Sequence, residues 1–126
     1  MRLIVAGSRN LNKFQALFLF LVWWKEQHFD NKVELVTGCC PSGPDQIPFM
    51  LEAISDVPYK IKKFPAEWDT YGASAGPIRN KQMAEYADAL VLIWDGKSRG
   101  SQSMKRFMKQ TDKPVYEILV YEGKDI

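Results

Sequence analysis

The sequence predicts an α/β domain, a Rossmann-like doubly wound three-layer sandwich built on a five-stranded parallel sheet. Three observations predict it. Short apolar runs recur along the chain and stop at glycine or polar residues, helical segments separate them, and the total of 126 residues suits a single core over residues 1–126.

The first strand is Leu3-Ile4-Val5-Ala6, ending at Gly7. Such an unbroken apolar run is the mark of a parallel strand covered on both faces. A helix is expected from about Asn12 to His28, with Asn10 or Asn12 as its cap and neither Gly nor Pro inside. Val33 to Val36 forms the second strand, stopped by Thr37-Gly38, and a helix from Asp45 to Ser55 follows. Asp45 can cap that helix, and Pro48 falls in its first turn, where a missing N–H costs little. Tyr59 to Phe64 alternates and carries several lysines, as an edge strand protected against unwanted pairing does.

Pro77 opens another helix at its first position, running to about Tyr86. Ala89 to Trp94 is the most continuous apolar strand and suits the sheet centre. The last helix, Ser101 to Gln110, sets Met104, Phe107 and Met108 against Lys105, Arg106 and Lys109, and Val115 to Tyr121 closes the sheet. Right-handed crossovers then give the strand order 3-2-1-4-5. In such a sheet ligands bind at the C-terminal edge, where the order reverses between the first and fourth strands.

Composition narrows the function. Hydrophobic residues make up 46% and charged residues 25%, and the net charge of +2 argues against disorder and against a surface made for polyanions. Two adjacent cysteines, Cys39 and Cys40, allow neither a disulfide framework nor a four-ligand zinc set, which suits a reducing cytoplasm. The apolar run from Ala16 to Trp24 is shorter than the roughly 20 residues of a spanning helix, and Met1 to Gly7 reads as a strand, so neither anchor nor leader is expected.

Three loops therefore carry the functional expectation: Gly7-Ser8-Arg9-Asn10, the segment from Gly38 through Gly43 to Asp45, and the segment from Asp95 through Gly96, Arg99 and Gly100 to Ser101. Each contains glycine and precedes a helix N-terminus, where free N–H groups and the helix dipole attract an anion. Arg9, Lys97 and Arg99 offer counter-charge, and arginine can grip phosphate with two donors. The long third connection, from Phe64 to Asn80, adds Trp68 as a surface for stacking a base and Arg79 or Asn80 to reach phosphate or ribose.

In this order, Gly7-Ser8-Arg9, Cys40-Pro41-Ser42-Gly43-Pro44-Asp45, Phe64-Pro65-Ala66-Glu67-Trp68, Gly76-Pro77-Ile78-Arg79-Asn80 and Arg99-Gly100-Ser101 resemble the SLOG superfamily, the Rossmann-like group that includes DprA and the LOG enzymes. The resemblance is nearest to its small YspA-type branch of single-domain bacterial and phage proteins. It implies a nucleotide or nucleotide-derived ligand. LOG-type enzymes cleave the N-glycosidic bond of a nucleoside monophosphate with a Gly-Gly-x-Gly-Thr-x-x-Glu signature. The matching stretch, Lys97 to Met104, keeps Gly100 and a hydroxyl at Ser101 but has Met104 where the glutamate belongs. A thioether moves no proton, so Glu67, Asp69 or Asp45 would have to do that work, with Glu67 the first choice as acid or base.

The resulting expectation is a binder of a nucleotide-like small molecule, with hydrolysis of a nucleoside phosphate or dinucleotide as its reaction. Gly38, Gly43, Gly100 and Ser101 would surround phosphate, Arg9, Arg79 and Arg99 would neutralise it, and Asp45 and Asn80 would orient ribose or base. The alternatives are a non-catalytic sensor of a nucleotide signal and DprA-like binding of single-stranded DNA, the latter disfavoured by the mild charge. No cofactor and no metal site are expected. A cysteine nucleophile would need a base, and the single histidine, His28, is placed at the far end of the first helix. That helix is apolar on nearly every face from Phe14 to Trp24, which points to a homo-oligomer through it.

Overall fold

Strand β1, Arg2–Gly7, lies at the middle of a five-stranded, all-parallel sheet of order β3-β2-β1-β4-β5. Its neighbours are β2, Glu34–Thr37, and β4, Ala89–Trp94, while β3, Lys60–Lys63, and β5, Val115–Leu119, form the edges. The computed structural model describes residues 1–27, 32–54 and 60–120. His28, Ser55, Tyr59 and Tyr121, at the expected ends of four elements, lie outside the described residues.

Alternation along the strands decides the two cores. Leu3 and Val5 of β1 face one side together with Leu35, Val91 and Ile93, and that side is covered by α1, Lys13–Lys25, and α2, Ile47–Ile54, through Ala16, Phe20, Ile47 and Leu51. Ile4 and Ala6 face the other side with Val36, Leu90, Leu92 and Trp94. There α4, Ala75–Tyr86, and α5, Arg99–Gln110, contribute Met83, Met104 and Met108. Every residue of β4 is buried, as its continuous apolar sequence requires, although β1 and not β4 holds the centre.

Helix α1 starts as expected, whereas the starts of α2, α4 and α5 differ. Asn12 is the cap of α1, its Oδ1 accepting the N–H groups of Phe14 at 2.8 Å and Gln15 at 3.2 Å. Asp45 caps nothing: it sits in a 3-10 turn, Gly43–Gln46, that precedes α2. Its backbone oxygen accepts the Thr37 hydroxyl at 2.8 Å and its carboxylate accepts the Cys40 N–H at 3.0 Å, which turns the side chain back toward the β2 loop. Helix α4 begins at Ala75, so Pro77 is its third residue, and the missing N–H is equally harmless anywhere in the first turn. The long third connection is not structureless. It contains the single-turn helix α3, Trp68–Tyr71, and a 3-10 turn, Gly72–Ser74, both too short to leave a periodic signal.

Helix α1 divides its apolar surface. Phe20 and Ala16 are buried, Trp23 and Trp24 pack partly against the core, and Phe14, Phe18, Leu21 and Val22 stand exposed, the two phenylalanines at 65% each. No helix among the described residues is long and apolar enough to cross a membrane.

Candidate functional site

The C-terminal ends of β1, β2, β3 and β4 open onto one cleft of about 540 Å³. It lies at the point where the strand order reverses, because β1 sends its chain to one face of the sheet and β4 sends its chain to the other. Each wall is built by a different loop, and short contacts hold the loops together.

The β1 loop is fixed by Gly7 and Ser8. A Cβ on Gly7 would sit 1.7 Å from the Ile93 carbonyl oxygen and 2.7 Å from Pro44, so only glycine lets the loop pass this close to β4. Ser8 is buried and does not line the cleft; its hydroxyl donates to Asp95 Oδ1 at 3.1 Å and accepts the Asp95 N–H at 3.1 Å. Gly43 also stands behind the wall. Its φ of 71° and the 2.6 Å that would separate a Cβ from the Ser8 oxygen explain the glycine without a ligand. The Ser42 hydroxyl ties the second loop to the first, donating to the Arg9 carbonyl at 2.9 Å.

Asp95 organises the β4 loop. Its Oδ1 accepts the N–H groups of Lys97 at 2.8 Å and Ser98 at 2.9 Å, and these bonds, Lys97 first, hold the carboxyl below the usual range, so it stays ionised. Gly96 supplies the positive φ of 81° that this turn needs and is not part of the cleft lining. Ser98 then caps α5, its hydroxyl oxygen accepting the Ser101 N–H at 3.3 Å. The first-turn N–H groups of Arg99 and Gly100 have no intrahelical partner and border the cleft, and nothing crowds Gly100.

A chain of polar contacts joins the two sides of the floor. Arg79 Nη1 donates to the Gly38 carbonyl at 2.5 Å and its Nε to Asn80 Oδ1 at 2.9 Å, and Asn80 Nδ2 donates to the Gly100 carbonyl at 3.3 Å. Gly38 leaves room for this guanidinium, since a Cβ there would lie 2.5 Å from Nη1. Asp45 closes the chain on the β2 side, 8% exposed, and burial pushes its carboxyl up to about 6 despite the Cys40 N–H, Arg79 and Arg9.

Of the residues expected from sequence, the cleft gathers Gly7, Arg9, Gly38, Asp45, Trp68, Arg79, Asn80, Arg99, Gly100 and Ser101. It does not gather Ser8, Gly43, Gly96 or Glu67. Glu67 is exposed, just ahead of α3, with its backbone oxygen accepting from Thr70 and Tyr71, and the carboxyls the fold delivers to the cleft are Asp45 and Asp95. Trp68 stands at the rim, 53% exposed. Cys40 lines the wall, while burial, then Asp45, push the Cys39 thiol up, away from a reactive thiolate. Asp95 as organiser and Met83 and Met104 as apolar floor are not among the residues expected from sequence. The signal for Asp95 was an acid two and three residues ahead of backbone donors at a helix start. The methionines gave none, being ordinary core residues. Comparison of the chain with protein-family models, with curated proteins and with solved structures finds no match.

Proposed function

We propose that the cleft binds a nucleotide or nucleotide-derived ligand by its phosphate. The observation that carries this reading is the convergence of the open α5 N-terminus with Arg9 and Arg99 on the one cleft that also holds buried Asp45 and Asn80. Free N–H groups and arginines suit an oxyanion, the buried amide suits hydroxyl or base edges, and exposed Trp68 offers a face for a base. The resemblance of these loops to the SLOG superfamily supports the same ligand class. Hydrolysis of a nucleoside phosphate or dinucleotide is the reaction this site admits, with Asp45 as its acid–base group.

A second reading, a sensor that holds a nucleotide without consuming it, is favoured by Met104, buried on the cleft floor where a LOG-type enzyme carries glutamate. One experiment decides between them. The protein is incubated with nucleoside monophosphates, NAD, ADP-ribose and cyclic dinucleotides, and melting temperature and chromatographic product are read from the same samples. A stabilising ligand that is consumed makes the protein an enzyme; stabilisation without product makes it a sensor; no shift with any of them removes the ligand site.

The exposed stripe of Phe14, Phe18, Leu21 and Val22 supports self-association through α1. Replacing Phe14 and Phe18 by serine is expected to convert an oligomer to a monomer in light scattering; an unchanged mass would place any interface elsewhere.

A further inference from the structure

Asp45 is a nearly buried cleft group, 8% exposed, whose carboxyl forms no ion pair among the described residues. Its Oδ2 accepts the Cys40 N–H at 3.0 Å, while Oδ1 takes no hydrogen bond among the described residues. The nearest guanidinium is already committed, since Arg79 spends Nη1 on the Gly38 carbonyl and Nε on Asn80, and no ion pair joins Arg79 to Asp45. Arg9, from the β1 loop, is the other cation that acts on it among the described residues, and it is itself exposed.

Among the described residues the other elements packed against this turn bring Asp45 no ion pair: β2 contributes Thr37, whose hydroxyl donates to the Asp45 backbone oxygen, and Lys63 at the end of β3 acts on Cys39. From β1 come Leu3 to Gly7, Arg2 being at the far end beside Glu34. From α1 the charged residues are Lys13, which lies over the Phe14 ring, and Lys25 in the last turn. From α2 there is only exposed Glu52, and from the same loop the thiols of Cys39 and Cys40.

We propose that Asp45 is the proton donor of this site: a bound tetrahedral oxyanion accepts a hydrogen bond from the protonated Asp45 carboxyl, and anion binding thereby carries one proton from solvent into the protein. The proposal deepens the phosphate-binding reading and rests on it. Two negative groups in one enclosed cleft oppose each other, whereas a neutral carboxyl becomes a donor to the anion, and this carboxyl already stands at about 6, within reach of neutral pH. The alternative role for Asp45, an ionised acceptor of ribose hydroxyls, predicts no proton uptake.

Sulfate tests this, because it is tetrahedral and does not titrate near neutrality. Its binding to the full chain is measured by calorimetry at about pH 5.5 and about pH 8, at fixed ionic strength. Wild type is expected to bind at least about tenfold more tightly at the lower pH, as one coupled proton above the carboxyl's pKa requires. Asp45→Asn keeps an acceptor for the Cys40 N–H and gains a permanent donor, so it should bind equally at both pH values, near the wild-type affinity at low pH. Titrations of wild type in two buffers of different ionisation enthalpy read the proton uptake directly and stand even if the variant fails to fold. Wild-type affinity that is equal at both pH values, or a pH dependence that survives in Asp45→Asn, overturns the role of Asp45 while leaving the anion site in place. Absence of sulfate binding at either pH in both proteins overturns the anion site and the proposed function together.

Discussion

At Asp45 the fold opposes the side chain's charge and at Gly7 it admits no side chain, and each position can be tested alone. The Asp45 carboxyl titrates near 3.8 when solvated and about 6 when buried, so between these values the native state holds more protons than the unfolded chain. Stability from this group is complete below the lower value, falls as pH rises across the window and is flat above it. The shift corresponds to about 3 kcal/mol. Asp45→Asn removes that cost, and without ligand it should melt higher than wild type at neutral pH and about equally in acid; equal melting at neutral pH would mean the native carboxylate is solvated. Gly7→Ala works the other way. Its methyl would meet the backbone oxygen of Ile93, which cannot swing aside, and urea titration should show a loss of about 3 kcal/mol or more. Sequence singled out both residues for ligand contact, and for Gly7 the tighter reason is strand packing, which no local pattern displays.

At the scale of elements, the start of helix α5 is central to the proposed anion site. Its first turn is aimed by Asp95, which gathers the loop N–H groups, and by Ser98, whose hydroxyl accepts the Ser101 N–H and donates to the Ser101 hydroxyl at 3.1 Å. Ser98→Ala should cost about 1 kcal/mol in thermal unfolding and weaken sulfate binding, because the open N–H groups are no longer presented in order. A stability loss with unchanged sulfate affinity would detach the helix start from the site. Element by element, the strands and long helices were legible because burial on both faces of a parallel sheet and capping residues leave local marks. Helix α5 was expected to begin at Ser101 and begins at Arg99, since the loop bonds that extend it are made by side chains folding back on the backbone. Helix α3 leaves no mark in the sequence, four residues being too few to repeat.

For the whole molecule, the proposed nucleotide ligand would occupy the cleft in parts. Phosphate is expected among the α5 start, Arg99, Arg9 and Asp45, and a base at the rim on Trp68, which is half exposed and makes no core contribution. Trp68→Ala should therefore weaken binding of a nucleotide by about tenfold while leaving sulfate affinity and melting temperature nearly unchanged; equal losses for both ligands would place Trp68 in the structure of the wall. Composition, the spacing of apolar runs and the rule of right-handed crossovers determined by themselves the α/β class, the strand order and the sheet edge that carries the cleft, because these depend on local burial patterns and chain handedness. Only the tertiary structure decided which loop residues face the cleft and which stand behind it. Ser8, Gly43 and Gly96 serve the loops, Glu67 points to solvent, and Asp45 becomes the buried acid, since side-chain direction and desolvation arise from contacts between segments far apart in the chain.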